Sequence, residues 1–173
     1  MSPPATTATP WQLRPAKASD EAALLALHEW LYHEEAAAFL SPKLHQLAAY
    51  RDLTAVLRAD MAALLRGPQS LVWVAEAPEG LLGYATARIE SDTRRVLPQR
   101  AVIEDCYVQP AWRRRGIARA LLKALLKACA GRGAMVVDCA TWPDNAPMCA
   151  LLQTLGLGAY ELRLLYDTRV LSA

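Results

Sequence analysis

Charge of one sign, long apolar runs and paired cysteines are all missing from this sequence, and each absence closes off a class of protein. Nineteen basic side chains face 17 acidic ones, a formal net charge of +2, so there is no strongly basic surface of the kind that tracks nucleic acid. No apolar run approaches the ~20 residues of a membrane-spanning helix. The four cysteines, Cys106, Cys129, Cys139 and Cys149, show no Cys-x-x-Cys spacing, and the three histidines lie far from them in the chain. That scatter fits reduced thiols in a cytoplasmic protein and argues against a zinc site or any other metal. Neither Gly-x-x-x-x-Gly-Lys-Ser/Thr nor Gly-x-Gly-x-x-Gly occurs, which argues against a P-loop and a dinucleotide-binding Rossmann unit. Residues 1–10, with Pro3, Pro4 and Pro10, have no basic start and no apolar centre; they read as a disordered tail rather than a signal peptide.

What is present suits one core. At 173 residues and 54% hydrophobic content, residues 11–173 form a single domain of ordinary size. A short strand is expected at 11–14, then a helix capped by Ser19 or Asp20 with apolar positions at Leu24, Leu27, His28 and Leu31. A second helical region covers 42–65, with a break near Asp52, and ends at Gly67-Pro68. Strands at 71–77 and 81–89 form a hairpin across Pro78-Glu79-Gly80. Residues 91–100 are a loop, 101–108 a strand, and the following helix, near 117–130, carries Ala118, Leu121, Leu122, Leu125 and Cys129 on one face. Gly131-Arg132-Gly133 stops it before a strand at 134–139, parallel to the 101–108 strand through this crossover. A helix at 146–155 and strand material at 160–170 complete an α/β mixed sheet.

One more absence is informative. From Gln109 to Val137 there is no Ser, Thr, Asp or Asn, so the helix that starts near Ile117 has no side chain to cap its free N–H groups. Arg113-Arg114-Arg115 stands at that same end, where the helix dipole is positive. A polyphosphate would satisfy both the donors and the repulsion, and Gly116 would let it approach the backbone. The string therefore reads as an anion cradle.

Arg-x-x-Gly-x-Ala after an apolar strand, with Val108-Gln109-Pro110 leading in, resembles the acetyl-CoA signature of the Gcn5-related N-acetyltransferases (GNAT). The resemblance runs from about 13 to about 167 and is specific over 102–156. It implies a splayed, mostly antiparallel sheet flanked by helices, with the cofactor arm inserted beside the fourth strand, and acetyl-CoA as co-substrate. Arg113, Arg114, Arg115, Gly116, Ile117, Ala118 and Arg119 would then hold the phosphates. Cys106, Tyr107 and Val108 would lie along the pantetheine, with the Val108 N–H polarising the thioester carbonyl. Asn145 matches an asparagine that bonds the cofactor arm, and Met148 follows it on the same helix.

Adjacent carboxylates in an apolar strand are unusual. Ile103-Glu104-Asp105-Cys106-Tyr107-Val108 is similar to a string in the diamine (spermidine/spermine-type) members, in which the glutamate assists deprotonation of the amine. An amine of pKa ~10 must lose its proton before attacking a thioester; Glu104 is the candidate base and Asp105 is read as structural, the alternative being that both pair with arginines such as Arg100. Strict alternation places Val102, Glu104, Cys106 and Val108 on one face and Ile103, Asp105 and Tyr107 on the other, unless a bulge intervenes. Leu152 stands where those members carry a tyrosine that protonates the leaving thiolate; Tyr160 is the candidate replacement, with Tyr107 as another. Glu34, Glu35 and Asp92 are the candidate contacts to a small amine acceptor, with polyamines favoured; a solvated helix end explains the two glutamates equally well. The alternatives are a non-catalytic acyl-CoA-binding module, a protein or peptide N-acetyltransferase, and an acyl carrier through Cys106. A homodimer is implied only by the resemblance.

Overall fold

Two apolar stripes on opposite faces of one sheet generate the architecture. In the computed structural model, which describes residues 10–161 and 163–165, the strands are β1 (Gln12–Pro15), β2 (Ser70–Ala77), β3 (Gly80–Ser91), β4 (Gln99–Val108) and β5 (Val136–Cys139). They lie in that order; the first four are antiparallel and β5 runs parallel to β4. The helices are α1 (Glu21–Phe39), α2 (Pro42–Ala48), α3 (Leu53–Arg66), α4 (Ile117–Gly131) and α5 (Ala146–Thr154). On one face α4 buries Ile117, Leu121, Leu122, Leu125 and Cys129 against Ala85, Ala87, Ala101, Ile103 and Val108. On the other, Leu24 and Leu27 of α1 and Met61 and Leu64 of α3 pack on Val72, Val74, Tyr84 and Tyr107. Each such side chain contributes about 1.5–3 kcal/mol by leaving water.

The expected helical region does break near Asp52. The Asp52 carboxylate accepts from the Ala55 N–H at 2.9 Å, and Ser41 accepts from the Leu44 N–H at 3.3 Å, so each of the two helices has its own cap. Asp20 does not cap α1 with its side chain. It closes a short 3-10 turn, Ala18–Asp20, by accepting from the Lys17 N–H at 2.7 Å and from Arg14 at 2.7 Å and 3.0 Å. Of the strand expected at 160–170, residues 160, 161 and 163–165 lie in no strand; the remainder lies outside the described residues.

Strict alternation along β4 does not hold. Thr86 pairs with Asp105 and Ala87 with Ile103, so Glu104 has no opposite residue and forms a β-bulge. The extra residue reverses the parity of everything after it. Ala101 and Ile103 before the bulge and Cys106 and Val108 after it all join the α4 core, whereas Asp105 and Tyr107 face α1. Ile103 is thus separated from Asp105 and Tyr107, contrary to the expectation from alternation. The last residue of β4 that β5 pairs with is also Ile103, opposite Cys139. From the bulge onward β4 therefore has a free edge, which is the expected splay.

Leu125, fully buried under the sheet, tests this packing. Leu125→Ala is expected to cost about 2–5 kcal/mol, seen as a lower urea midpoint at unchanged slope, while Lys127→Ala on the exposed face of α4 leaves the midpoint within about 0.5 kcal/mol.

Candidate active site

The free edge of β4 is chemically defined by which backbone groups it leaves over. The Gln109 N–H bonds to the Leu82 carbonyl at 2.8 Å and the Asp105 N–H to Thr86 Oγ1 at 3.1 Å, both on the β3 side. Alternation then turns the Cys106 and Val108 N–H groups toward the gap that β5 has vacated. Gly83, opposite Val108, keeps the strands close: a Cβ there would lie 2.4 Å from the Tyr107 carbonyl oxygen.

The chain next passes through a 3-10 turn, Pro110–Trp112, into the arginine run. Arg114 and Gly116 have φ of 63° and 80°, and for a side chain with a Cβ that left-handed conformation costs about 1–2 kcal/mol. Gly116 is the N-cap of α4 and supplies no side-chain bond, and the first intrahelical bond is from the Ala120 N–H to the Gly116 carbonyl at 3.0 Å. The N–H groups of Ile117, Ala118 and Arg119 are left pointing out of the helix start. A Cβ on Gly116 would meet nothing within 4 Å, so the space before these donors is open to a ligand. Uncapped donors, a left-handed loop and basic side chains fit a polyphosphate.

The three arginines are not alike. Arg113 donates through Nη1 and Nη2 to Glu34 at 2.6 and 2.7 Å and through Nε to the Val108 carbonyl at 2.9 Å. Arg115 lies 4.7 Å over the Trp112 ring. The candidate cofactor residue Arg113 and the candidate substrate residue Glu34 thus satisfy one another.

On the opposite side of the bulge a polar network lies between α1 and the sheet. Asp105 Oδ2 accepts from Thr86 Oγ1 at 3.0 Å and lies 3.7 Å from His28 Nδ1, which is 2.8 Å from the Tyr84 hydroxyl. His28 Nε2 is buried with no partner among the described residues. Burial raises the Asp105 carboxyl above the ordinary carboxylate range, opposed by His28 and the Thr86 hydrogen bond. Two turns further along α1, Glu35 is raised by burial and by Asp105, and it accepts from Trp142 Nε1 at 3.0 Å. Trp142 belongs to the segment after β5, so this bond bridges the mouth of the splay.

Glu104 projects from the bulge itself and is paired with Arg88 at 3.1 Å. Burial raises its carboxyl, and Arg88 partly offsets the effect. Arg100 goes to Asp138 instead, so the expected alternative of an arginine partner holds for Glu104, with Arg88 in place of Arg100, and not for Asp105. Asn145 caps α5 by accepting from the Met148 N–H at 3.3 Å, and Met148 packs against the α4 core. Tyr160 is 74% exposed beside Asp138, whose carboxylate raises its phenol. Asp92 is not brought to the site. It closes the β3–β4 turn with Arg94 and Arg95, and its place one residue beyond the Ser91–Gln99 pair puts it about 20 Å along β4 from Glu104 at the strand rise of ~3.4 Å per residue. Burial pushes the Cys106 thiol up to about 12, which leaves almost no thiolate at neutral pH and disfavours an acyl carrier there.

A family model described as acetyltransferase (GNAT) family matches residues 22–157. The chain belongs to that family. As a GNAT acetyltransferase it uses acetyl-CoA. The solved structures it is similar to include AAC(6')-Iy in complex with the bisubstrate analogue CoA-S-monomethyl-acetylneamine, at 20% identity and a TM-score of 0.71, covering 92% of this chain and 98% of that one. Another is the aminoglycoside 6'-N-acetyltransferase AAC(6')-IG from Acinetobacter haemolyticus, at 20% identity and 0.67, covering 90% and 97%. An acetyltransferase from Trypanosoma brucei matches at 23% identity and 0.63, covering 91% and 99%. No curated protein sequence matches the chain.

His28, Tyr84, Thr86 and Trp142 were not among the expected site residues of this GNAT chain. A signal for two of them is present: His28 lies on the apolar stripe of α1, and Thr86 is a fully buried polar residue between alanines. Tyr84→Phe is expected to cost about 1–3 kcal/mol, because it leaves His28 Nδ1 without its partner, and the loss is read from the urea midpoint. Gly116→Ala forces a Cβ into φ 80° and into the phosphate space; calorimetry is expected to show at least about tenfold weaker CoA binding.

Proposed function

We propose that this acetyltransferase transfers the acetyl group directly to a primary amine of a small polycationic acceptor, a polyamine or an aminoglycoside. The observation that carries this reading is the acidic wall of the splay: burial raises the Glu35, Asp105 and Glu104 carboxyls, and the nearby Asp105 charge raises Glu35 and Glu104 further. A cationic acceptor would relieve that repulsion. The likeness to AAC(6')-Iy with its acetylneamine-bearing analogue supports the same class.

Acetyl-CoA, when bound, supplies a thioester whose carbonyl carbon is the electrophile. The Val108 N–H on the free edge of β4 serves as the donor to the carbonyl oxygen as it gains charge. Ile117, Ala118 and Arg119 offer their N–H groups to the phosphates, with Arg114 and Arg115 adding positive charge. Asn145, whose Oδ1 is used by the α5 cap, has its amide nitrogen left for the cofactor arm. Glu104 takes the proton from the ammonium, directly or through water, and Arg88 partly offsets the burial that raises its carboxyl. The nitrogen attacks, the C–S bond breaks, and the second amine proton leaves to solvent. A thiol of pKa ~8.5 is a tolerable leaving group without Leu152 being a tyrosine; Tyr160 stands beside Asp138, which pairs with Val102 about 20 Å along β4 from Val108, so the thiolate takes its proton from solvent.

A second reading of the base is favoured by one observation. The Asp105 carboxylate is anchored through Oδ2 only, and its Oδ1 accepts no hydrogen bond among the described residues and is not sealed from solvent. Both readings are separated by thiol release from acetyl-CoA over a panel of polyamines, aminoglycosides, amino acids and peptides. Glu104→Gln is expected to lower kcat by about 10²–10⁴. An acid with a raised pKa works as a base only above that pKa, so the wild-type rate climbs with pH through it and the variant loses this ascending limb. If Asp105→Asn removes the limb and Glu104→Gln keeps it, the base is Asp105. Turnover of neutral amines or peptides in preference to polycations would overturn the acceptor class.

A further inference from the structure

A single guanidinium joins the cofactor half of this site to the acceptor half. The Val108 carbonyl faces the edge where β5 has ended, and Arg113 Nε satisfies it at 2.9 Å. The N–H of the same peptide unit, that of Gln109, is held by the Leu82 carbonyl at 2.8 Å. Both ends of the Val108–Gln109 peptide are therefore fixed. The remaining edge of the guanidinium forms a two-point fork with Glu34 of α1, at 2.6 and 2.7 Å, and its face lies 5.5 Å from the Tyr107 ring centroid. Burial raises the phenol of Tyr107, with Glu34 adding to the rise and Arg113 opposing it. Arg114 and Arg115, in contrast, have no carboxylate partner among the described residues.

We propose that Arg113 and Glu34 are a positioning pair: the Arg113 side chain is a strut that holds the Val108 backbone in place for carbonyl polarisation and ties it to the acceptor-side helix, and it is not a phosphate ligand. This rests on the reading of the Val108 N–H as the polarising donor. Such a donor is effective because it does not reorganise during the reaction, and a displacement of ~1 Å at a reacting centre is enough for about a hundredfold in rate. Glu34 matters because it orients the fork from α1, the helix that also carries Glu35 and His28. The arginine run is thereby divided by function: its first side chain supports chemistry, and the next two supply charge to the phosphates.

The test has one arm that needs no turnover and one that does. In the free protein, hydrogen exchange of the Gln109 amide is expected to speed up about tenfold or more in Arg113→Gln and in Glu34→Gln, and to stay at the wild-type rate in Arg114→Gln. Calorimetric titration with CoA is expected to show Kd within about twofold of wild type for Arg113→Gln and Glu34→Gln, against a several-fold rise for Arg114→Gln. With an amine that the wild type acetylates, kcat falls about 10- to 100-fold in the first two variants while KM for acetyl-CoA holds. Arg113→Lys, which keeps the charge but not the fork together with the Nε bond, does not restore kcat. The proposal is overturned if Arg113→Gln weakens CoA as much as Arg114→Gln does, if Gln109 exchange is unchanged, or if Arg113→Lys recovers the wild-type rate. Should the wild type acetylate no amine, the acceptor reading fails, and the exchange and calorimetry arms still decide the strut.

Discussion

The extra residue in β4 governs this site. Without Glu104 in the bulge, Asp105 would point into the leucine-rich layer under α4, and Cys106 and Val108 would turn to α1, because a shift of one residue exchanges the two faces of a strand. With it, one carboxylate stays at the surface beside Arg88 and the next enters a polar pocket made by Thr86, Tyr84 and His28. The bulge also comes directly after the last residue that β5 pairs with. Local twist and loss of the neighbour coincide, and together they expose backbone donors in the middle of a sheet, where unpartnered N–H groups are otherwise rare.

Much of the fold was legible because its punctuation is strong. Pro78-Glu79-Gly80 marks the β2–β3 turn, Gly131-Arg132-Gly133 ends α4, and Leu121, Leu122 and Leu125 repeat at helical spacing. The splay and the uncapped start of α4 were legible too, the first through resemblance and the second through the lack of any capping residue. The bulge was not, since Ile-Glu-Asp-Cys-Tyr-Val is compatible with either parity and only pairing with β3 selects one. The partners of Asp105 and Arg113 were equally hidden. Thr86 lies 19 residues from Asp105, Glu34 lies 79 from Arg113, and Glu35 lies 107 from Trp142, so no local spacing encodes them. Arg113, Arg114 and Arg115 looked equivalent as a run because a run carries no information about direction. Asp92 looked available as an acceptor contact because a loop residue's distance along the sheet cannot be read from its composition.

The acceptor wall and the cofactor wall are built by different means. The cofactor side is mostly backbone: N–H groups at a strand edge and a helix start, held by a left-handed loop. The acceptor side is mostly side chain, and it gathers carboxylates that destabilise one another when ionised. Burial makes that repulsion costly, since nearby solvent no longer screens it. Trp142 orients Glu35 and Arg113 neutralises Glu34, while Glu104 is paired with Arg88 and Asp105 is held by Thr86.

The uncapped start of α4 has a thermodynamic side. Two arginines without a carboxylate partner among the described residues, Arg114 and Arg115, and several free donors at the positive end of a helix make the folded chain less stable than its packing alone would allow. A polyanion that binds there adds RT ln(1 + [L]/Kd) to the unfolding free energy, about 2.7 kcal/mol at a hundredfold excess over Kd. Against a total of about 5–15 kcal/mol for a domain, that is a large fraction. Resistance of the folded molecule to heat and proteases would therefore rise with the concentration of any ligand that carries such phosphates, spent CoA as well as its thioester.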